Sequence, residues 1–488
     1  MLTREEFQVI YDRGPYAVYA LIVAMQSRID ALAARVLELE SRLNKDSHNS
    51  SKPPSSDGLA RKPPKPRSLR EQKGRPSGGQ PGHAGRTLER SENPDRTLVT
   101  GTGVCTVFSH SLHGARIVGQ ESRQVVDLPP LRLQVTEHQA LACICPHCHS
   151  LSRGEFAAGV TQPVQYGPGV LGLCVYLNQY QLVPFARTEQ LVTDLFGRSP
   201  CEGTLASTLA HCHKALAPVD AAIKEAIVSA PVGRFDETGI RVNRRLHWLH
   251  VESTPDVAST PDVAWYARHP KRGREAIRDL DILPRFDGVS VHDAYVSYQS
   301  EDYPCSHALC NAHLLRELTG LWETSRQTWT KQMMALLCCL KRAKEAAQAG
   351  GRQSLEAALL HRFTKVYRQI VERGLRLNPR PEPSGRKGRP ARGPARSLLE
   401  RLQTHESAVL RFAFDFQVPF DNNLAERDLR MTKVRLKISG CFRHESGADQ
   451  FCRIRGYIST LRKQGKDVMG ALRALFTGNV LYPALESA

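Results

Sequence analysis

The order of apolar segments between residues 235 and 310 is the feature that most constrains the fold of this chain. Three segments with strand-like alternation come first, then a helical segment, then two short strand-like runs. These segments are residues 235–242, 246–252, 263–268, 273–283, 289–292 and 307–310. This order predicts a mixed sheet in which the first three strands form an antiparallel meander and the fourth lies beside the first.

Two aspartates belong to these predicted strands. Asp236 lies in the first strand, and Asp293 directly follows the fourth strand. Because those two strands are expected to be neighbours, the fold would bring both carboxylates together. Glu237 is expected to point to the opposite face from Asp236, since side chains alternate along an extended strand.

A third carboxylate, Glu426, lies near the start of a predicted helix within residues 419–437. Apolar residues recur there at helical spacing, whereas Glu426, Arg430, Lys433 and Lys437 share a different stripe. Taken alone, Glu426 and Arg430 have the spacing of an ordinary i,i+4 ion pair, worth ~0.3 kcal/mol on a solvated face. The two upstream aspartates favour a functional role for Glu426 instead.

Several motifs in one order resemble the transposases of the insertion sequence 66 family. The motifs are Phe-Asp-Glu-Thr-Gly at 235–239, His-Pro-Lys-Arg-Gly-Arg-Glu-Ala at 269–276, Val-His-Asp at 291–293, Leu-Cys-Asn-Ala-His-Leu-Leu-Arg-Glu-Leu at 309–318, Asp-Asn-Asn-Leu-Ala-Glu-Arg at 421–427 and Ser-Gly-Cys-Phe-Arg at 439–443. The resemblance implies an α/β ribonuclease-H-like catalytic domain whose triad is Asp236, Asp293 and Glu426. It also implies a polynucleotidyl transferase that cuts and joins DNA at the ends of an insertion sequence, acting as a multimer with accessory proteins of the same element.

Cleaving a phosphodiester and joining its 3′ hydroxyl to a new phosphate requires charge stabilisation at both the attacking and the leaving oxygen. Two divalent ions ~3.5–4 Å apart provide it, and Mg²⁺ prefers carboxylate oxygens while keeping several waters. We therefore assign Asp236 and Asp293 as the main ligands of Mg²⁺ or Mn²⁺. Glu426 would complete the second metal position and help to orient the nucleophile.

The bulk properties favour a nucleic-acid partner. The chain has 488 residues and a net charge of +18, from 67 Lys and Arg against 49 Asp and Glu. Its length suggests about three domains, and its charge favours nucleic acid first and an anionic membrane surface second.

Its 13 cysteines lack the spacing of a disulfide framework, which favours a reducing cytoplasm. We expect no export signal and no membrane span, and the family implies a bacterial, nucleoid-associated location.

Residues 1–45 are predicted to form a coiled coil, followed by a disordered basic linker at 46–98. The apolar seam alternates spacings of four and three: Val18, Ile22, Met25, Ile29, Leu32, Val36, Leu39 and Leu43. The linker is rich in Pro, Gly, Ser, Lys and Arg, a composition that buries too little apolar surface to fold. Because such a linker leaves the seam little to pack against, we favour a homo-oligomer. An ordinary amphipathic helix packed on its own domain is the alternative.

Residues 99–160 are predicted to form a small β-rich, zinc-binding-like module. Cys145-Pro-His-Cys148 has the spacing of a knuckle that holds Zn²⁺. The first knuckle of the family would fall at residues 105–108, where Phe108 occupies the second ligand position. The candidate Zn²⁺ ligands are therefore Cys105, His110, Cys145 and Cys148, with Cys143 and His149 as alternatives.

The rest of the chain divides into three predicted regions. Residues 161–230 are helical, and the pair of helices at 188–209 suits a helix-turn-helix that binds DNA. The alternative is a helical hairpin without DNA contact, because its second helix carries few basic residues. Residues 231–437 form the catalytic domain with a helical insertion at 311–418, and residues 438–488 form a basic, helical carboxyl-terminal region.

Two groups of cations are predicted to hold the DNA backbone. The first lies in a loop rich in Pro, Gly and Arg, a composition typical of a flexible segment that binds phosphates. Its members are Arg386, Lys387 and Arg389. The second group follows Glu426 along the same helix and comprises Arg427, Arg430, Lys433, Arg435 and Lys437.

A tandem repeat is peculiar to this sequence. The hexapeptide Ser-Thr-Pro-Asp-Val-Ala at 253–258 recurs at 259–264, between the second and third predicted strands. We expect an enlarged hairpin loop, because closure entropy grows slowly with loop length. A slipped strand register would instead misplace Asp236. This repeat and Phe108 support an alternative function, that of a catalytically inactive, degenerate copy that binds DNA without cleaving it.

Overall fold

The computed structural model describes residues 3–43, 45, 49–50, 88–101, 103–255, 261–380 and 393–485. These residues belong to two compact units. Unit 1 comprises residues 1–64, 138–191 and 199–488, and unit 2 comprises residues 65–137 and 192–198. The domain boundaries proposed from the sequence stay predictions.

The described residues form α-helices and strands in the following order. The elements are α1 (Arg4–Tyr11), α2 (Pro15–Leu43), β1 (Ala142–Ile144), β2 (Leu151–Arg153), α3 (Pro168–Val175), α4 (Phe185–Phe196), α5 (Glu202–Ala215), α6 (Ala217–Val228), β3 (Val232–Val242), β4 (Arg245–Ser253), β5 (Ala264–His269), α7 (Arg274–Leu280), β6 (Val289–His292), β7 (Ser306–Leu309), α8 (Asn311–Ser325), α9 (Thr328–Ala349), α10 (Ala357–Leu377), α11 (Pro394–Thr404), α12 (Glu406–Phe414), α13 (Asn423–Ser439), α14 (Glu445–Lys463) and α15 (Val468–Phe476).

A five-stranded mixed sheet lies at the centre of unit 1, with the strand order β5-β4-β3-β6-β7. β3, β4 and β5 pair antiparallel, whereas β6 pairs parallel with β3 and with β7. The predicted meander and the placement of the fourth strand beside the first are therefore confirmed. This mixed α/β arrangement is consistent with the ribonuclease-H-like domain expected from the sequence.

Alternation along β3 determines which helices cover each face of the sheet. Phe235 belongs to a buried cluster that includes residues of α6, α14 and α15. Ile240 and Val242, of opposite parity, pack in another cluster with Ala425 and Leu429 of α13. Each fully buried apolar side chain contributes ~1.5–3 kcal/mol. Because Asp236 has the parity of Ile240, its side chain faces α13.

Helices α8 to α12 occupy most of the segment predicted as a helical insertion. Their core contains two large aromatic side chains, Trp329 and Tyr367, both fully buried. The hydroxyl of Tyr367 donates a hydrogen bond to the carbonyl of Leu402 (2.8 Å), which ties α10 to α11. This cluster is continuous with Val291 of β6 and Leu309 of β7, so the helices pack against the edge of the sheet.

The tandem repeat forms the connection between β4 and β5. Ser253, the first residue of the first copy, pairs with Ala264, the last residue of the second copy. The backbone N–H of Thr254 donates to the carbonyl of Val263 (3.1 Å). Asp236 remains paired with Val251, so the ladder of β3 and β4 is regular. Residues 256–260 of the expected enlarged loop lie outside the described residues.

The amino-terminal segments are only partly as predicted. α2 spans the heptad seam, and the seam side chains from Ile22 to Leu43 are 43–72% exposed, so the coiled coil and its oligomer stay predictions. The basic linker lies mostly outside the described residues. The β-rich module is not confirmed, because its described residues contain only the hairpin of β1 and β2 and an isolated bridge between Val104 and Ser111.

The helical region after this module contains the two helices expected of a helix-turn-helix, α4 and α5, which are joined at Gly197 with φ of 80°. DNA contact by this pair stays a prediction. None of the helices in the described ranges is both long and apolar enough to cross a bilayer.

Candidate active site

The parallel pairing of β3 with β6 delivers the two aspartates to one end of the sheet. The ladder ends at the pair Arg234 and Val291. Asp236 and Asp293 each follow two residues later, Asp236 within β3 and Asp293 directly after β6, so they occupy equivalent positions relative to this ladder. The prediction that the fold brings these carboxylates together agrees with this geometry, although their catalytic role is not tested by it.

Asp236 carries the clearest electrostatic sign of a carboxylate cluster. Burial raises the pKa of Asp236 well above its usual range. The negative charges of Glu237, Asp293 and Glu426 raise this pKa further. Asp236 is therefore within electrostatic reach of both Asp293 and Glu426, and a divalent cation would relieve this repulsion.

Both aspartates are oriented by backbone donors. Oδ1 of Asp236 accepts a hydrogen bond from the backbone N–H of Glu237 (2.8 Å). Oδ1 of Asp293 accepts one from the backbone N–H of Tyr295 (2.9 Å).

Glu426 reaches the cluster because α13 is docked on β3 by polar contacts as well as apolar packing. Asn422, just before the helix, is 2% exposed and donates from Nδ2 to the carbonyl of Phe235 (2.9 Å). Further along, Nζ of Lys433 donates to the carbonyl of Gly239 (3.0 Å). These two bonds span β3 on either side of Asp236 and fix the first turn of α13, which contains Glu426.

Two side chains of α8 contact the carboxylate of Glu426. Nη2 of Arg316 lies 3.0 Å from Oε1 of Glu426, and Nδ1 of His313 lies 3.6 Å from it. Burial lowers the pKa of His313 to about 4, and the charge of Arg316 lowers it as well. His313 is therefore neutral at physiological pH, and Arg316 is the cation that balances Glu426.

A cavity of about 180 Å³ lies beside Asp293 and α8. His313, Glu317 and Arg401 are among its lining residues, and Arg401 pairs with Glu317. The cavity is thus a polar recess next to the carboxylate cluster.

Two known protein families match parts of this chain. The model of the Transposase IS66 family matches residues 163–450, which is more than half of the 488 residues. The chain belongs to the IS66 family of transposases. A family of unknown function, DUF6444, matches residues 8–89. No curated protein matches this chain.

The family of this transposase implies a divalent metal, and two sets of side chains offer donor atoms for one. Carboxylate oxygens of Asp236, Asp293 and Glu426 suit Mg²⁺ and Mn²⁺. A second set, Cys310, His313 and Glu426, has ligand atoms within 4.8 Å of one another. Burial raises the pKa of Cys310 to about 12, so this thiol is protonated, and the carboxylate set is the better match for Mg²⁺.

The predicted DNA-binding cations of α13 fall into two classes. Arg427, Arg430 and Lys437 are exposed. Lys433 is instead bound to β3, as described above. The guanidinium carbon of Arg435 lies 3.6 Å from the ring centroid of Phe442, and burial lowers the pKa of Arg435 to about 10. The first group, Arg386, Lys387 and Arg389, lies outside the described residues.

The cysteine turn of unit 1 has a regular hydrogen-bond pattern. The backbone N–H of Cys145 donates to the carbonyl of Ser150 (2.9 Å), and the N–H of His149 donates to the carbonyl of Cys145 (2.9 Å). His149 has a positive φ of 58°. Hydrogen bonding by the Ser150 side chain lowers the pKa of Cys148 to about 7, which favours the thiolate that binds metals.

The cysteine turn of unit 2 has the same backbone pattern. The N–H of Cys105 donates to the carbonyl of His110 (2.7 Å), the N–H of Ser109 donates to the carbonyl of Cys105 (2.9 Å), and Ser109 has φ of 54°. Phe108 takes the place that Cys148 has in the other turn, and its side chain is 72% exposed. Zinc binding by Cys105, His110, Cys145 and Cys148 stays a prediction.

Sequence reasoning overlooked three residues of the site. Asn422 makes the hydrogen bond that docks α13 on β3. Arg272 forms an ion pair with Glu237 (2.6 Å), and Tyr298 also donates to Glu237. Arg272 belongs to the motif at 269–276 that supports the family resemblance, so that motif was the signal available in the sequence.

Proposed function

We propose that this transposase cleaves DNA at the ends of its insertion sequence and transfers the resulting 3′ ends to a target. Asp236, Asp293 and Glu426 would be its catalytic carboxylates, on a ribonuclease-H-like domain. The observation that carries the proposal is the placement of Asp236 and Asp293, each two residues beyond the last pair of the β3–β6 ladder. Burial and the charges of Glu237, Asp293 and Glu426 raise the pKa of Asp236, which supports the same grouping. A cluster of like charges at the end of a sheet is costly to maintain without a cationic ligand.

The proposed ligands are Asp236 and Asp293 for Mg²⁺ or Mn²⁺, with Glu426 at the second metal position. When bound, two such ions stabilise the charge that develops on the attacking and leaving oxygens. The backbone N–H groups of Glu237 and Tyr295 hold the aspartates in fixed orientations. Neutral His313 and cationic Arg316 hold the Glu426 carboxylate near the recess where a phosphate would enter.

The DNA backbone would be bound by the exposed cations of α13. Arg427, Arg430 and Lys437 share one face of the helix, since positions three and ten residues apart lie within one stripe at 3.6 residues per turn. This face follows Glu426 directly, so a strand held there would pass the carboxylate cluster. The loop cations Arg386, Lys387 and Arg389 are proposed as an additional phosphate contact.

The remaining parts of the proposal concern assembly. The exposed apolar seam of α2 supports a homo-oligomer through a coiled coil, which would hold two DNA ends together. Zn²⁺ bound by the cysteine turns would stabilise a small module that has little core of its own. Accessory proteins of the same element and a cytoplasmic, nucleoid-associated location follow from the family.

The alternative function is a degenerate copy that binds DNA without cleaving it. The tandem repeat first suggested this alternative because a register slip would displace Asp236. The repeat instead lies in the connection between β4 and β5, and the pairing of Asp236 with Val251 is regular. This observation favours the catalytic function.

The test is to incubate the purified full-length chain with DNA that carries the element ends, in Mg²⁺ or Mn²⁺. We expect nicking at the ends and joined products, both absent from the Asp236→Asn variant. Binding without nicking would support the degenerate copy, and nicking without joined products would indicate a nuclease.

A further inference from the structure

The two catalytic aspartates depend on backbone groups of two other residues for their orientation. The N–H donors come from Glu237, which follows Asp236 in β3, and from Tyr295, which follows Asp293 after β6. The relative position of the two carboxylates therefore depends on how Glu237 and Tyr295 are held. Their side chains share a common partner.

Arg272 is that common partner. Its Nη2 lies 2.6 Å and its Nε 2.7 Å from Oε1 of Glu237. Its guanidinium carbon lies 4.0 Å from the ring centroid of Tyr295 and 4.8 Å from that of Trp248. One planar side chain thus contacts both residues that orient the aspartates and also the neighbouring strand β4.

The chemistry of this contact requires an arginine. The Glu237 side chain is only 2% exposed, and a buried carboxylate needs a paired cation. Two nitrogens of a guanidinium reach one carboxylate while its flat face packs on aromatic rings, which the ammonium of lysine cannot reproduce. Tyr298 donates a further hydrogen bond to Glu237, so both Arg272 and Tyr298 hold this carboxylate.

The electrostatics agree with the geometry. Burial acts to lower the pKa of Arg272, but the combined effect of Glu237, Tyr295 and Asp293 outweighs it, so the net pKa is raised. Arg272 therefore carries its charge at every accessible pH. It is a permanent positive group behind the carboxylate cluster, on the opposite face of β3 from Asp236.

We propose that Arg272 is a positioning residue that fixes Asp236 and Asp293 relative to each other, so that the pair is preorganised to bind divalent metal before DNA arrives. This inference rests on the proposed function for the identity of the metal ligands. It assigns Arg272 no contact with metal or DNA. Its effect reaches the aspartates only through the two backbone N–H groups.

The test compares Arg272→Lys with Arg278→Lys, the same substitution at an exposed position of α7. The probe is Mn²⁺ alone, titrated into the full-length chain without DNA and followed by electron paramagnetic resonance. We expect Arg272→Lys to weaken Mn²⁺ binding about tenfold or more, as changes to residues that orient metal ligands do. Arg278→Lys should bind Mn²⁺ like the wild type.

Cleavage assays over a range of Mg²⁺ concentrations provide a second measurement. Activity of Arg272→Lys should be restored in part by excess metal, since the ligands are present but poorly oriented. Tyr295→Leu keeps the backbone donor and removes only the ring, and it should show a smaller loss of Mn²⁺ affinity. This variant also keeps the inference testable if Arg272→Lys unfolds.

Wild-type Mn²⁺ affinity in both Arg272→Lys and Tyr295→Leu would overturn the inference. Failure of the proposed function has a different result, in which Mn²⁺ binds the wild type and not Asp236→Asn, but no DNA is cleaved. In that case the Mn²⁺ titrations still decide the role of Arg272. Absence of any Asp236-dependent Mn²⁺ binding would overturn both.

Discussion

The carboxylate cluster and the two cysteine turns gather their ligands in opposite ways. The carboxylates come from two strands and a helix that are far apart in the chain, and their meeting depends on strand register and on the docking of α13. Each cysteine turn is local, with the same two backbone hydrogen bonds and the same positive φ in both copies.

The difference shows how each kind of site responds to mutation. The turn at Cys105 keeps its backbone geometry although Phe108 stands where the other turn has a cysteine. A different side chain at that position therefore leaves the backbone shape of the turn unchanged. In the carboxylate cluster, the side chains and the fold cannot be separated in this way. The packing that buries Asp236 also brings it close to the acids that repel its charge.

The largest expected effect is that of Asp236→Asn. Losing a metal ligand removes several kcal/mol of transition-state stabilisation, so cleavage should fall at least ~1,000-fold. In metal-free buffer the variant should be more thermostable than the wild type. The raised pKa of Asp236 makes its ionised form costly in the fold, so the wild type loses stability as pH rises through that pKa.

Two measurements check this prediction, an end-cleavage assay and thermal unfolding at several pH values. The stability advantage of Asp236→Asn should grow with pH. An advantage that is the same at pH 5 and pH 8 would contradict the electrostatic account of the cluster, whatever the cleavage result.

The next largest effect is expected for Asn422→Ala, which leaves all three carboxylates in place. Loss of the hydrogen bond to the carbonyl of Phe235 should cost ~1–3 kcal/mol of unfolding free energy. Because Glu426 would lose its fixed position, cleavage should drop roughly tenfold to a hundredfold. Denaturant unfolding and cleavage assays measure the two effects.

The neighbouring Asn423→Ala, at an exposed position, is the matched control. Equal losses in both variants would argue against docking by Asn422.

Phe108→Cys tests the local character of the cysteine turns. Because the backbone of that turn already has the required geometry, an added thiolate should raise Zn²⁺ affinity roughly tenfold or more. Competition with a chelating dye measures the affinity. Ser109→Cys, one residue away, is the control for a mere increase in thiol content, and the same gain there would refute the geometric explanation.

The smallest effect is expected among the cations of α13. Arg430→Gln should lower the slope of log affinity for DNA against log salt by about 1, as expected for one lost phosphate contact. Arg435→Gln should leave the slope unchanged and lower thermal stability, because Arg435 packs on Phe442. Fluorescence anisotropy at several salt concentrations separates the two. A lowered slope in Arg435→Gln would place that residue among the DNA contacts.

The sequence predicted the sheet well because its order of apolar segments is a local signal. β3 nevertheless begins at Val232, three residues earlier than predicted, since Val232 pairs with Val289 of β6. The helix predicted at 273–283 ends at Leu280, because Asp281 adopts a left-handed conformation with φ of 53°. The residue at which a strand or helix begins or ends depends on contacts and turns that the periodicity of apolar residues does not encode.

The candidate site was predictable only in part. Alternation along β3 separated Asp236 from Glu237, and the helical pattern together with the two upstream aspartates pointed to Glu426. The sequence assigned Lys433 and Arg435 to the cations that hold the DNA backbone. Their long side chains instead contact the carbonyl of Gly239 and the ring of Phe442. Arg272 escaped attention because its partners come from β3, β4 and the segment after β6.

The pairing of Ser253 with Ala264 has a consequence for how this gene can vary. Every hexapeptide unit starts with serine and finishes with alanine, so any whole number of units offers the same two residues to the β4–β5 ladder. A shorter allele with one unit would close the hairpin with a tight four-residue turn, and a longer one would only lengthen the tip. Replication slippage can therefore add or remove units while the strands that support Asp236 keep their alignment.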